Sequence, residues 1–219
     1  MTVQPLTERI TYERLENGAD VYVLPTSVED VVTCMMAFPG GTHTTYDTQM
    51  VAALLEELLP GSTKRHDRHH ILEQFEVLGA RLSLSVGSEH LFVTLASRSA
   101  HFLQALQLTV EVLTVPAPTA AEFREAVLRA ATNLAHEKED TKAQATLALS
   151  HALYRKGSPH WSPGITERAK ELASVRKAEV MSWYRETFSS VGALMCIVGD
   201  VKPRTVMGAV RKLGTALPS

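Results

Sequence analysis

Two tight-turn signals, Asn17-Gly18 and Gly87-Ser88, each separate two alternating apolar runs, and they constrain this chain more than any other feature of it. Arg9 to Leu15 and Asp20 to Leu24 flank the first turn; Leu82, Leu84 and Val86, alternating with Ser83 and Ser85, and then Leu91, Val93 and Leu95 flank the second. Asn-Gly supplies the positive φ angles that a two-residue hairpin turn demands, so both segments read as β-hairpins with one apolar face each. Val31 to Phe38 is a continuous apolar run ending at Pro39-Gly40-Gly41, which predicts a central, doubly covered strand and a sharp turn. Gly192 to Val198 reads as a last buried strand.

Helical spacing fills the intervals. Met50, Val51, Leu54, Leu55, Leu58 and Leu59 predict a helix over Tyr46–Leu59, stopped by Pro60-Gly61. Ile71, Leu72, Phe75 and Leu78 predict another over His66–Leu78, closed by Gly79. Apolar stripes follow over Ser99–Thr114, Thr119–Asp140, Lys142–Tyr154 and roughly Val175–Phe188, broken by the Gly157–Gly164 loop. A final helix starts on Pro203 and ends at Gly214. The stripe residues Met50, Phe75, Phe102 and Phe123 are expected in the core. With no linker or low-complexity stretch in 219 residues, the expectation is a single domain over 1–219. Its class is α+β, with a mixed, mainly antiparallel β-sheet covered on one face by helices.

A net charge of −2 with 21% charged residues leaves no electrostatic footprint for nucleic acid or an anionic membrane, so neither is an expected partner. Met1 to Glu8 lacks the basic start and apolar run of a secretory signal, and no stretch is long and apolar enough to span a bilayer. A cytoplasmic location is expected; a removed transit peptide leaves no trace, which keeps a mitochondrial or organellar origin open. Cys34 and Cys196 lie in apolar stretches and are expected to be buried, reduced thiols.

A series of landmarks runs the length of the chain: Leu15-Glu16-Asn17-Gly18-Ala19-Asp20-Val21, Pro39-Gly40-Gly41-Thr42, Glu56-Glu57-Leu58-Leu59-Pro60-Gly61-Ser62-Thr63, Leu78-Gly79-Ala80, Leu153-Tyr154 with Ser158-Pro159-His160, the Leu172 to Tyr184 region and Val198-Gly199-Asp200. In this order and spacing they resemble the pitrilysin/insulinase peptidases, the family of the mitochondrial processing peptidase and the core proteins of the respiratory bc complex. The family's signature is H-x-x-E-H: two His at i and i+4 project onto zinc from one helical face, and the Glu is general base for the metal-bound water. Aligned through Thr63, the motif falls on Ala53-Leu54-Leu55-Glu56-Glu57, so only the Glu survives, as Glu56. The third ligand, a Glu in a later helix, falls near Asn133 or Leu134. The resemblance thus implies a non-catalytic homologue with no metal. The alternative is a zinc endopeptidase half that recruits the metal through an atypical set such as Glu57, Glu137 and a nearby His.

His66, His69, His70 and Glu73 form a second apparent cluster, with His66 and His70 one helical turn apart, but the segment reads as the polar start of a helix. In the resembling peptidases two such domains follow each other in one subunit, and four enclose a chamber for unfolded peptide. That implies a partner, either a homo-oligomer or a second peptidase-family subunit. The edge strand after the Leu-Gly-Ala turn receives substrate there as an added strand, which here means Leu82, Ser83, Leu84, Ser85 and Val86. The expected function is therefore a partner subunit, or a peptide-binding or scaffold domain. Leu82, Leu84 and Val86 should face the core, and a proline at 83 or 85 should remove an edge donor.

Overall fold

The computed structural model describes residues 5–42, 49–158, 160–214 and 216–217. After a short helix α1 (Leu6–Arg9), the first hairpin pairs β1 (Thr11–Arg14) with β2 (Asp20–Pro25). Gly18 takes φ +85°, Leu15 N–H donates to Ala19 O at 2.8 Å, and the Asn17 side-chain oxygen accepts from Ala19 N–H at 3.3 Å. Arg9 belongs to α1, so the first strand begins later than the alternation suggested.

Next come β3 (Val32–Pro39), α2 (Gln49–Leu58), α3 (Arg68–Val77), β4 (Arg81–Val86) and β5 (His90–Ser97). The predicted start of α2 at Tyr46 lies outside the described residues. A 3-10 turn at Ser99–His101 leads into α4 (Phe102–Thr114), followed by α5 (Ala120–Glu139), α6 (Thr141–Leu153), α7 (Ile165–Ser174), α8 (Lys177–Thr187), β6 (Leu194–Gly199) and α9 (Pro203–Gly214). α7 is not among the helices predicted, although Ile165, Ala169, Leu172 and Ala173 recur at helical spacing; of these only Leu172 is buried. Its start is set by the Glu167 carboxylate accepting from Gly164 N–H at 3.1 Å. Among the described residues no helix is long and apolar enough to cross a membrane.

The sheet order is β1-β2-β6-β3-β5-β4, with β6 parallel to β2 and every other pair antiparallel. The class is α+β with a mixed, mainly antiparallel sheet. Val21, Val23, Val32, Cys34, Met36, Phe38, Val93, Leu95 and Ile197 turn one face into a single buried cluster with Leu54, Leu55, Leu58, Leu106, Val180 and Val206 from the helices. Tyr184 is buried in the same cluster and donates its hydroxyl to Leu113 O at 2.7 Å, so the one polar atom it brings inside is satisfied.

The other face is open, which corrects two expectations. β3 and β6 are not doubly covered: burial alternates along both, leaving Met35, Leu194 and Val198 more than a third exposed. Cys196 shares that open face, so it is an exposed thiol, whereas Cys34 is buried; both are free. A run of apolar residues does not reveal which side of its strand will be covered, because that depends on the helices that pack later. The other stripe residues behave as expected, with Met50, Phe75 and Phe102 buried and Phe123 partly so. α6 is an exception among the predicted stripes, since none of its residues is buried.

Candidate functional site

The site is built where α2 meets α5. Glu122 fixes their relation. It closes a capping box at the start of α5, its carboxylate accepting from Thr119 N–H at 2.6 Å while Thr119 Oγ1 accepts from Glu122 N–H at 3.2 Å. Its other oxygen accepts from the N–H and hydroxyl of Ser62, at 3.0 and 2.9 Å, in the turn that ends α2. Burial pushes this carboxyl up, but the bonds from Thr119 and Ser62 outweigh it and hold the group below the usual range. Gly61 is required in that turn, because a Cβ there would lie 2.2 Å from Leu58 O. Ala126 and Ala130, both buried, then line the inner face of α5.

This register brings the two distant parts of the expected motif together. Asn133 Nδ2 lies 3.5 Å from Glu57 Oε1, although the residues are 76 apart in sequence. Leu134, the other candidate for the third position, is buried in the core. Between them stands a residue that sequence reasoning missed, Arg129. Its Nε donates to Glu57 Oε2 at 2.6 Å, its NH2 to Glu57 O at 3.2 Å, and its NH1 to Glu125 at 2.5 Å. The spacing Glu125-x3-Arg129-x3-Asn133 was visible as one helical face, but nothing local shows what that face meets.

These positions do not fit a zinc ion. Ala53 offers a methyl group, Glu57 is engaged by a guanidinium, and Asn133 offers a carboxamide where the resembling enzymes have a carboxylate. Glu137, the other carboxylate of the atypical set, is gripped by Arg168 through two bonds of 2.8 and 2.5 Å. Among the described residues no group of three or more His, Cys, Asp or Glu side chains is arranged to hold a metal ion.

Glu56 takes a different direction. It is half-buried on α2, and its Oε1 accepts from the Val86 N–H at the end of β4. Burial raises its carboxyl above the usual range; the Val86 bond opposes this and the neighbouring Glu57 charge adds to it. β4 is the sheet edge, with Leu82 buried, Leu84 and Val86 partly buried, and Ser83 and Ser85 exposed. Gly87 N–H donates to His90 O at 2.8 Å, so alternation sends the N–H and C=O of Leu82, Leu84 and Val86 outward from β5. A proline at 83 or 85 would therefore break the ladder to β5. The outward donors belong to positions 82, 84 and 86.

The histidine cluster is also rearranged. Asp67 caps α3 by accepting from His70 N–H at 2.8 Å, which leaves His66 before the helix. His66 stacks on His70 with ring centroids 4.5 Å apart and turns its Nδ1 to Glu111 at 2.8 Å. Thr63 donates to the same carboxylate at 2.7 Å, so the group fastens the loop after α2 onto α4.

The fold has many solved counterparts. A peptidase M16 inactive domain from Pseudomonas fluorescens superposes with a TM-score of 0.80 at 19% identity over 95% of this chain and 51% of that one. A protease from Helicobacter pylori gives 0.84 at 16% identity over 96% of this chain and 51% of that one. This chain has the fold of the M16, or pitrilysin-type, peptidases. The periplasmic protease PqqL of Escherichia coli shares it with a TM-score of 0.78 at 17% identity, over 99% of this chain and 25% of that one. The M16-like chain thus spans about half the length, or less, of these counterparts. No family model and no curated protein matches its sequence.

Proposed function

We propose that this chain is a non-catalytic homologue of the M16 peptidases that works as a partner subunit, or as a peptide-binding scaffold, beside a second copy of itself or a second peptidase-family domain. The observation that carries the reading is the Arg129–Glu57 pair beside Asn133: of the positions that the resemblance expects to hold metal, 53 is an alanine, the carboxylate at 57 is tied to a guanidinium, and 133 is a carboxamide. Glu56 keeps the residue type of the general base, but a carboxylate without a metal-bound water beside it has no activated nucleophile to deprotonate. Strand addition requires only outward backbone groups, and β4 offers them at Leu82 and Leu84. The half-length match to the first two structural counterparts, one of them described as an inactive domain, favours a role that a second domain completes.

The test combines metal analysis with a cleavage assay on the purified protein. We expect no stoichiometric zinc after dialysis against the metal and no hydrolysis of an unfolded polypeptide. Stoichiometric zinc, together with cleavage that chelation abolishes, would overturn the reading in favour of the atypical ligand set.

A further inference from the structure

The last outward rung of the β4 edge is occupied from within. Leu82, Leu84 and Val86 direct their backbone groups away from β5, and of these three Val86 gives its N–H to the Glu56 carboxylate, which reaches across from α2. That oxygen stands where the carbonyl of an added strand would stand. A bond from a backbone N–H to an ionised carboxylate is stronger than one to a neutral carbonyl, so an incoming peptide does not displace it on equal terms. Glu56 is also presented by a helix whose Leu54, Leu55 and Leu58 are locked in the core, so the block is built on a rigid element.

We infer that Glu56 determines how far along β4 an extended peptide can pair: a strand added to this edge bonds at Leu82 and Leu84, and it gains the Val86 rung only when Glu56 leaves. The inference rests on the proposed use of β4 as the peptide-binding edge. Glu56 acts here as a specificity-determining residue that limits the register and length of the bound segment.

The probe is fluorescein-labelled, reduced and carboxymethylated α-lactalbumin, an unfolded polypeptide, with binding to the intact chain followed by anisotropy and by amide hydrogen exchange. Glu56→Ala uncovers the Val86 N–H and is expected to bind about tenfold tighter than the parent, the scale of one charge-assisted hydrogen bond. Glu56→Gln loses the same charge but keeps an oxygen that accepts from Val86, so it should fall between the two. The difference between the variants therefore reports the hydrogen bond rather than the charge. In the parent, probe binding should slow exchange at Leu82 and Leu84; in Glu56→Ala it should slow Val86 as well. If the parent protects Leu82 and Leu84 while both variants bind no tighter than it does, or bind equally tightly, the inference fails and the β4 reading survives. If neither parent nor variant shows protection along β4, the reading fails and takes the inference with it. Should Glu56→Ala fold poorly, the isosteric Glu56→Gln still decides the matter, because binding equal to the parent overturns the proposal.

Discussion

Arg129 carries a guanidinium, the one side chain able to bond Glu57 through both its carboxylate and its backbone oxygen while also reaching Glu125. Both members of the Arg129–Glu57 pair keep about a third or less of their side-chain surface exposed, so the pair lies between a screened surface bridge and a buried one. Arg129→Met should lower stability by about 1–2 kcal/mol, an amount set between those two limits. Adding Glu57→Leu should recover part of the loss by removing the carboxylate left without its partner. Denaturant melts of the two single variants and the double variant form the cycle that checks this, and additive effects would show that the residues do not act together. That Ala53 and Glu57 stand where the resemblance expects histidines was legible in the sequence, because a motif is a local pattern. The partner of Glu57 was not, since Arg129 looks like any polar helix residue until α5 is laid on α2.

At the scale of elements, Glu122 joins the start of α5 to the end of α2 and so sets the register that the site depends on. Glu122→Ala removes the capping box and leaves the Ser62 N–H without its acceptor, a combined cost of about 2–3 kcal/mol at neutral pH. The pH dependence follows from the lowered carboxyl. A group held below its unfolded value contributes stability that is complete above the ordinary glutamate value of about 4.3 and is lost as pH falls through the folded value. The gap between parent and Glu122→Ala should therefore be widest near neutrality and shrink below about pH 4, as thermal melts across that range would reveal. Glu56 has the opposite sign. Its raised carboxyl contributes stability on the acid side, which falls away as pH rises from the unfolded value through the folded one. The helix starting at Thr119 was expected from its spacing, but the bonds that Glu122 makes to Thr119 and Ser62 came only from the structure, and those to Ser62 depend on packing.

For the whole molecule, a sheet covered by helices on one side makes its two thiols unequal. Cys34 and Cys196 sit on adjacent central strands, yet Cys34 turns toward the helices and Cys196 toward the open face. A thiol reagent under native conditions should label Cys196 and spare Cys34 until denaturant is added, and the Cys196 rate should climb through the alkaline range because partial burial raises its thiol. Equal labelling of both would mean that the sheet is not packed as described. The sequence by itself determined the two hairpins and most of the helices, because period-two and period-3.6 spacing, Asn-Gly turns and caps act over a few residues. Only the tertiary structure decided that β6 lies between β2 and β3, that Arg129 holds Glu57 across 72 residues, and that Glu56 closes the end of β4 across 30. Those pairings arise when distant segments pack to bury their apolar faces, and the spacing within any one segment carries no record of which neighbour it will meet.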